Sequence, residues 1–166
     1  MTWPTHQAGA LLAALALDLS FPALAAAFMG ATLPDIIDQS ISRFAPGKRL
    51  RQKVFNRIHR GHSHWFGWWL AIFLITLGLP MPGIVRDLLA GLALGALSHV
   101  ALDMLTPRGV PFLPFGAPCN VAIPLCSTGK WSEYVFLGLI LFCGLLCLFS
   151  IQPVPGGVMA RLRMAL

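Results

Sequence analysis

Long apolar stretches alternate with short polar breaks along the chain, and their lengths predict helices in a lipid environment. From 8 to 34 the only charged residue is Asp18, and Asp18, Ser20 and Pro22 together are typical of one helix ending and another beginning. We therefore predict two short antiparallel helices, 5–17 and 21–33. Each would be roughly 20 Å long, less than the ~30 Å hydrocarbon core of a bilayer, so this hairpin would be only partly inserted.

Three further apolar segments predict longer transmembrane helices. The first, 65–79, is rich in tryptophan, which favours membrane interfaces. A turn at 80–83 separates it from the second, 84–105, in which Gly91 and Gly95 form a small-residue face suited to close helix packing. An irregular segment, 106–132, leads to the third, 134–151, which has no charge, and a short tail with Arg161 and Arg163 follows. The expected fold is an all-α, polytopic membrane helical bundle, a single integral membrane domain over 1–166, with a short N-terminal helical hairpin and three longer transmembrane helices.

Composition and charge agree with a membrane protein. The chain is 57% hydrophobic and 11% charged, against about 45–50% and about 25% in a soluble domain. The segment 43–60 has no acid and seven basic residues: Arg43, Lys48, Arg49, Arg51, Lys53, Arg57 and Arg60. We expect a basic loop at 36–60, held on the cytoplasmic side by the positive-inside rule and in contact with membrane lipids. The alternative, a nucleic-acid patch, is disfavoured by the apolar context, so no nucleic-acid partner is expected. Residues 1–7 carry no Lys or Arg, which argues against a cleaved signal peptide.

Up-and-down pairing of these helices predicts that ionisable side chains gather at one membrane face, beside the basic segment. All five histidines and three of the six acids are expected there. His99 and Asp103 lie four residues apart and so share a helix face. Ionisable residues inside membrane helices are costly and indicate function, and an imidazole beside a carboxylate suits Zn, Mn or Fe. The alternative for this pair is polar packing between helices.

Two other segments carry candidate ligands. The segment 59–64 reads His-Arg-Gly-His-Ser-His. On a regular helix its first and last residues would point about 140° apart, but Gly61 permits a turn that lets both face inward. The segment 33–38 holds Asp35 and Asp38 just past a predicted helix. A solvated interfacial stretch and helix capping are the alternative interpretations of these two segments.

Taken in order, the motifs resemble a known family. The chain contains Thr5-His6, Leu33-Pro34-Asp35, His59-Arg60-Gly61-x-Ser63-His64 and Ser98-His99-x-x-x-Asp103-x-x-Thr106-Pro107-x-Gly109-Val110-Pro111, and later Thr128-Gly129 and Glu133. This pattern runs from residue 5 to about 136 and resembles the LexA-regulated, membrane-bound metal-dependent hydrolases, the YdjM-like family.

The resemblance implies a metal site made of six side chains: His6, Asp35, His59, His64, His99 and Asp103. The family usually has its second acid two residues after the first, whereas here an additional isoleucine moves it to Asp38. His62 falls at a variable position and is not carried over. The implied location is the bacterial inner (cytoplasmic) membrane, with several passes.

Six ligands exceed the three protein ligands of a typical catalytic zinc site and suit one or two divalent ions, with Zn expected first and Mn, Fe or Mg as alternatives. We expect metal-activated water to attack an ester, a phosphoester first, and the position of the site favours a lipid or lipid-linked substrate. Asp38 or Glu133 is the expected general base, and Arg60 or Arg108 is expected to hold an anionic headgroup.

Two other functions fit the same residues. A metal-ion transporter would also use intramembrane His and Asp, although it needs polar groups through the depth of the membrane. A non-catalytic scaffold would use the metal for stability. Among the cysteines, Cys143 and Cys147 are predicted to pack within a helix. Cys119 and Cys126 are predicted to be reduced thiols, with a metal-binding pair as the alternative.

Overall fold

The structure is a computed structural model that describes residues 1–113 and 120–150. Within them the elements are α1 Trp3–Ala16, α2 Phe21–Gly30, α3 Leu33–Arg43, α4 Lys48–Ile58, a 3₁₀ turn His62–His64, α5 Phe66–Gly78, α6 Gly83–Met104, β1 Val110–Pro111, β2 Asn120–Val121 and α7 Trp131–Ser150. The two strands pair antiparallel. The predicted all-α fold is therefore confirmed. The tail with Arg161 and Arg163, and Cys119, lie outside the described residues.

The predicted N-terminal hairpin is confirmed. Asp18 lies in the turn between α1 and α2 with a left-handed backbone (φ 47), and the hydroxyl of Ser20 accepts a hydrogen bond from the backbone of Ala23 to cap α2. The same hydroxyl donates to Asp87 near the start of α6. Asp87 precedes Asp103 on α6 by roughly 24 Å at 1.5 Å per residue. The hairpin turn therefore lies at the opposite end of α6 from Asp103.

Small residues allow α2 and α6 to pack with their backbones in contact. A Cβ atom on Gly91 would overlap the carbonyl oxygen of Ala23, and one on Gly95 would overlap that of Ala27. Gly30 makes the reciprocal close approach to α6. This packing confirms the predicted small-residue face, and it holds the C-terminal half of α6 against the end of α2 and the start of α3.

We expect Gly95→Val to lower the stability of the protein, because a side chain there has no room without separating α2 from α6. Overpacking of this kind costs about 1–3 kcal/mol. The measurement is the melting temperature of the detergent-solubilised protein. Gly138→Val on α7 is the matched control, since a Cβ atom there meets nothing within 4 Å. Equal melting temperatures for the two variants would contradict the close approach.

The segment predicted as a basic loop, 36–60, is instead mostly helical, so that prediction is wrong in its local structure. It contains most of α3 and all of α4. Two signals account for this. Pro34 occupies the first turn of α3, where proline is tolerated. Leu50, Val54 and Ile58 recur every four residues, which is the spacing of an amphipathic helix. Most of the basic side chains thus lie on a surface helix.

Two described helices, Gly83–Met104 and Trp131–Phe149, are long and apolar enough to cross a bilayer. Helices α2 and α3 are bent by 43° at their junction and would together make a third span. Helix α5 is present where 65–79 was predicted, but it has 13 residues. That is roughly 20 Å, short of the hydrocarbon thickness. The described part of the chain therefore has two or three candidate spans by length and composition.

The segment after α6 folds back against the end of that helix. The backbone amides of Ile123 and Cys126 donate to the carbonyl oxygens of Met104 and Leu105. Burial raises the pKa of the Cys126 thiol, which favours the neutral form over the thiolate that a metal requires. On α7, Cys143 is exposed and Cys147 is half-buried, so Cys143 does not pack in the core as predicted.

Candidate metal centre

Five segments bring titratable side chains to one end of the bundle. His6 lies in the first turn of α1, Asp35 and Asp38 lie at the start of α3, and His59 directly follows α4. His64 lies in the 3₁₀ turn, and His99 and Asp103 lie at the end of α6. Four of these side chains are almost completely buried: His6 1%, His64 0%, His99 0% and Asp103 1% exposed. Burying so many ionisable groups is costly unless they neutralise one another or a cation does so.

The helical start of α3 brings both of its acids to the cluster. Asp35 and Asp38 are three residues apart, and on a helix such residues lie on the same face. The additional isoleucine between them therefore does not displace Asp38, which is 2% exposed. An extended segment would have pointed the two carboxylates in opposite directions.

The turn after α4 brings His59 and His64 to face the same centre. The prediction assigned this turn to the flexibility of Gly61, but the left-handed residue is Arg60, with φ 62. Gly61 is required for a different reason, since a Cβ atom there would lie 2.7 Å from the carbonyl oxygen of Ile58. The expectation that the turn allows both histidines to face inward is met, although the strained residue is Arg60.

Four ligand atoms lie at the centre of the cluster: His64 Nε2, His99 Nε2, Asp35 Oδ1 and Asp103 Oδ2. The two imidazole nitrogens are 3.2 Å apart. His64 Nε2 is 3.4 Å from Asp35 Oδ1 and 3.7 Å from Asp103 Oδ2, and His99 Nε2 is 3.7 Å from each of these oxygens. We call these four atoms the central site.

Hydrogen bonds around the central site determine where the protons are. His99 Nδ1 lies 2.6 Å from the carbonyl oxygen of Ala31, and a carbonyl can only accept, so Nδ1 carries the hydrogen. Ser63 Oγ donates to Asp38 Oδ1 at 2.6 Å, so it can only accept from His64 Nδ1, 2.9 Å away. In their neutral forms both Nε2 atoms therefore direct lone pairs at each other. A proton or a cation between them is needed to make this arrangement favourable.

The distances and donor types fit a divalent metal ion. Two ligand atoms about 2.1 Å from a tetrahedral ion are about 3.4 Å apart. The distance between the two imidazole nitrogens and the four distances from each nitrogen to each carboxylate oxygen run from 3.2 to 3.7 Å. Asp35 Oδ1 is buried with no hydrogen-bond donor, whereas its other oxygen accepts from Trp3 Nε1 at 3.0 Å. Two imidazoles and two carboxylates form the mixed donor set typical of Zn, Mn and Fe sites.

Two further groups flank the central site. On the α1 side, His6 Nε2 lies 3.4 Å from Asp103 Oδ1, and its ring stacks on that of His99 with centroids 3.7 Å apart. On the α4 side, His59 Nδ1 lies 3.4 Å from Asp38 Oδ2 and 3.6 Å from Asp35 Oδ1. Each of the six predicted ligands therefore lies against at least one other, and the additional acid Asp38 lies beside His59 and His64.

Arg60 and Arg108 lie on the α4 side of the cluster. The guanidinium of Arg60 donates to Asp103 Oδ1 at 2.9 Å and to the Thr106 hydroxyl at 2.7 Å. The ammonium group of Met1 also lies 2.9 Å from Asp103 Oδ1. Arg108 is exposed, and it donates to the backbone carbonyl of Asn56 at 3.3 Å. Arg60 thus contacts a proposed ligand directly, whereas Arg108 lies further out.

Glu133 is buried but serves the N-terminal segment. One carboxylate oxygen accepts from the backbone and hydroxyl of Thr2 and from the hydroxyl of Thr5. The other accepts from the backbone of Gly129 at 2.6 Å. These bonds suit Glu133 to hold α1, and with it His6, in position, and Glu133 belongs to none of the candidate metal groups in the described residues.

Three residues of this site were not singled out from the sequence. Trp3 orients Asp35, Ser63 orients Asp38 and His64, and Thr106 contacts Arg60. Ser63 and Thr106 occur within the motifs that resemble the YdjM-like family, so the sequence contained a signal that both belong to the site. Trp3 is 32 residues from its partner, and no local pattern connects the two.

The chain is similar to known inner membrane proteins. The profile of the YdjM inner membrane protein family matches residues 1–162. Inner membrane protein YdjM of Escherichia coli K12 is 48% identical over 60 residues, which cover 33% of this chain and 29% of that protein. The uncharacterised protein YvsG of Bacillus subtilis 168 is 34% identical over 147 residues, which cover 82% of this chain and 88% of YvsG. No solved structure matches the chain significantly. Because the family profile covers nearly the whole chain, the chain belongs to the YdjM inner membrane protein family.

Proposed function

We propose that this chain is a multi-pass inner-membrane hydrolase that uses one or two divalent metal ions, zinc first, to hydrolyse a phosphoester at the cytoplasmic membrane face. The observation that carries the proposal is the central site, where two imidazole nitrogens lie 3.2 Å apart and each lies 3.4–3.7 Å from two carboxylate oxygens. No donor hydrogen bond satisfies Asp35 Oδ1. A cation accounts for all four atoms at once.

Different residues would hold each of two metal ions. Asp35, His64, His99 and Asp103 would hold the first ion, and His6 would extend this set on the α1 side. Asp35 Oδ1 also faces His59 Nδ1 at 3.6 Å, so these two residues would hold a second ion. A bound divalent ion supplies Lewis acidity and a water of lowered pKa.

Asp38 is the proposed general base. Its Oδ1 accepts from the hydroxyl of Ser63, and its Oδ2 lies 3.3 Å from the backbone nitrogen of Arg60, which donates to it. These bonds fix the carboxylate beside His59, at the edge of the cluster, where it can take a proton from water. Glu133, the other expected base, belongs to none of the candidate metal groups in the described residues, whereas Asp38 belongs to one of them.

A polar cavity beside the cluster suits an anionic substrate. It has a volume of about 450 Å³, and its lining includes His59, Arg60, Thr106 and Arg108. Guanidinium groups bind phosphate oxygens strongly because they present several N–H donors in one plane. Arg60 and Arg108 thus favour a phosphoester over a neutral ester.

Two features of the described residues favour a hydrolase over the alternatives. Helix α5 has no Asp, Glu, His, Lys or Arg, and Glu133 at the start of α7 is the only such residue of that helix. A transmembrane polar pathway is therefore not supported by these helices. A scaffold would need the metal ligands but not an arginine-lined cavity beside them.

The test is hydrolysis of bis(4-nitrophenyl) phosphate by purified protein loaded with zinc or manganese. We expect metal-dependent turnover, and Asp38→Asn should lower kcat by about 10²–10⁴-fold, the usual effect of a general base, while the metal content stays unchanged. Asp87→Asn, at the other end of α6, is the control and should retain activity. Absence of metal-dependent turnover by the wild type, or full activity in Asp38→Asn, would overturn the proposal.

A further inference from the structure

A second cavity opens on the same cluster from another side. It lies between α3, α4 and α5 and has a volume of about 740 Å³. Its polar part includes Asp38, Ser63 and Arg57, and its apolar part includes Ile41, Trp68 and Ile72. We call it the amphipathic cleft. A cavity with one charged end and one apolar end matches an amphipathic ligand, which has an anionic group at one end and a hydrocarbon chain at the other.

The amphipathic cleft and the polar cavity meet at one pair of side chains. Asp38 lines the cleft, and His59 lines the polar cavity. Asp38 Oδ2 and His59 Nδ1 are 3.4 Å apart. A molecule extending from the cleft towards the arginines of the polar cavity would therefore pass directly over the cluster.

The apolar part of the cleft is exposed, as a lipid-facing surface would be. Ile41 is 51% exposed, Trp68 44% and Ile72 43%. Helix α5, which supplies the last two, is apolar along its length, although it is shorter than a membrane span. Arg57, an exposed residue of the basic helix α4, stands at the polar part of the cleft and complements a negative headgroup.

We infer that the amphipathic cleft admits a membrane lipid with an anionic phosphoester headgroup, which enters sideways from the bilayer with its chain along Ile41, Trp68 and Ile72. This inference rests on the proposed function for what happens to the ester, but not for the binding itself. It identifies the substrate class as a lipid phosphoester rather than a water-soluble one.

Binding is tested without reference to catalysis. Protein in detergent micelles supplemented with phosphatidylglycerol or phosphatidylcholine is analysed by native mass spectrometry as the wild type, Ile41→Trp and Ile36→Trp. The larger ring at position 41 fills the cleft. Position 36 lies about 140° away around the same helix and does not line the cleft, so it is a matched control.

The wild type and Ile36→Trp should retain one phosphatidylglycerol in preference to phosphatidylcholine, and Ile41→Trp should retain at least about tenfold less, a typical effect of altering an apolar pocket. Equal retention by the three proteins, or none by the wild type, overturns the inference.

In a second experiment, Ile41→Trp should slow hydrolysis of a lipid phosphodiester but not of bis(4-nitrophenyl) phosphate. Equal slowing of both substrates would also overturn the inference. Selective lipid retention without any metal-dependent hydrolysis would support the cleft and refute the proposed hydrolase.

Discussion

Replacing His99 by asparagine is expected to abolish metal binding at the central site while leaving the protein folded. His99 Nε2 contributes one of the four central atoms, and its ring also stacks on His6. The asparagine side-chain amide can take the place of Nδ1 and keep donating to the carbonyl oxygen of Ala31, but it has no atom where Nε2 lies. Changes to residues that only support a ligand already cost 10–100-fold in affinity, so loss of the ligand itself should cost more than about 100-fold.

The measurement is the metal content of the purified protein by mass spectrometry, together with its melting temperature. His62→Ala is the matched control, because His62 is exposed and belongs to none of the candidate metal groups in the described residues. His62→Ala should keep the wild-type metal content. If His99→Asn keeps it as well, the central site does not hold the metal.

The features that could be predicted from the sequence are those that depend on nearby residues. Asp18, Ser20 and Pro22 predicted the turn between α1 and α2 because capping and proline preferences act within one helical turn. The four-residue spacing of His99 and Asp103 predicted a shared helix face for the same reason. Gly91 and Gly95 likewise predicted a close helix contact.

The basic helix α4 was missed because its charge dominated its interpretation. Seven basic residues in 43–60 indicate a cytoplasmic segment, and the apolar spacing of four residues within it is a weaker signal. The position of Asp38 also depends on a helix. Its spacing from Asp35 departs from the family pattern, but the helical continuation of α3 keeps both carboxylates on one face.

The roles of Trp3 and Glu133 could not be predicted, because they depend on contacts between distant parts of the chain. Glu133 accepts a hydrogen bond from Thr2, which is 131 residues away, and the sequence pattern identified it only as a family residue near a metal site. Such contacts follow from the packing of α1 against α7, and no periodicity within either helix specifies their partners.

Removing the metal with a chelator is expected to lower the melting temperature of the wild-type protein substantially. The ligands come from α1, α3, the turn after α4 and α6, so a bound ion connects segments that are far apart in sequence. Without a cation, the lone pairs of His64 and His99 face each other at 3.2 Å, and Asp35 Oδ1 is buried without a donor. Binding to the folded state alone stabilises it by about 4 kcal/mol when free metal exceeds the dissociation constant a thousandfold.

The experiment compares melting temperatures before chelation, after verified removal of the metal, and after zinc is added back. The wild type should lose stability on chelation and regain it with zinc, whereas His99→Asn should respond to neither step, because its central site is already incomplete. This pairing separates loss of the bound ion from nonspecific effects of the chelator on the detergent-solubilised protein. An unchanged melting temperature in fully demetallated wild type would mean that the buried imidazoles and carboxylates are satisfied by protons alone. In that case the lone pairs of His64 and His99 would require no ion, and the geometry of the central site would no longer support the proposed hydrolase.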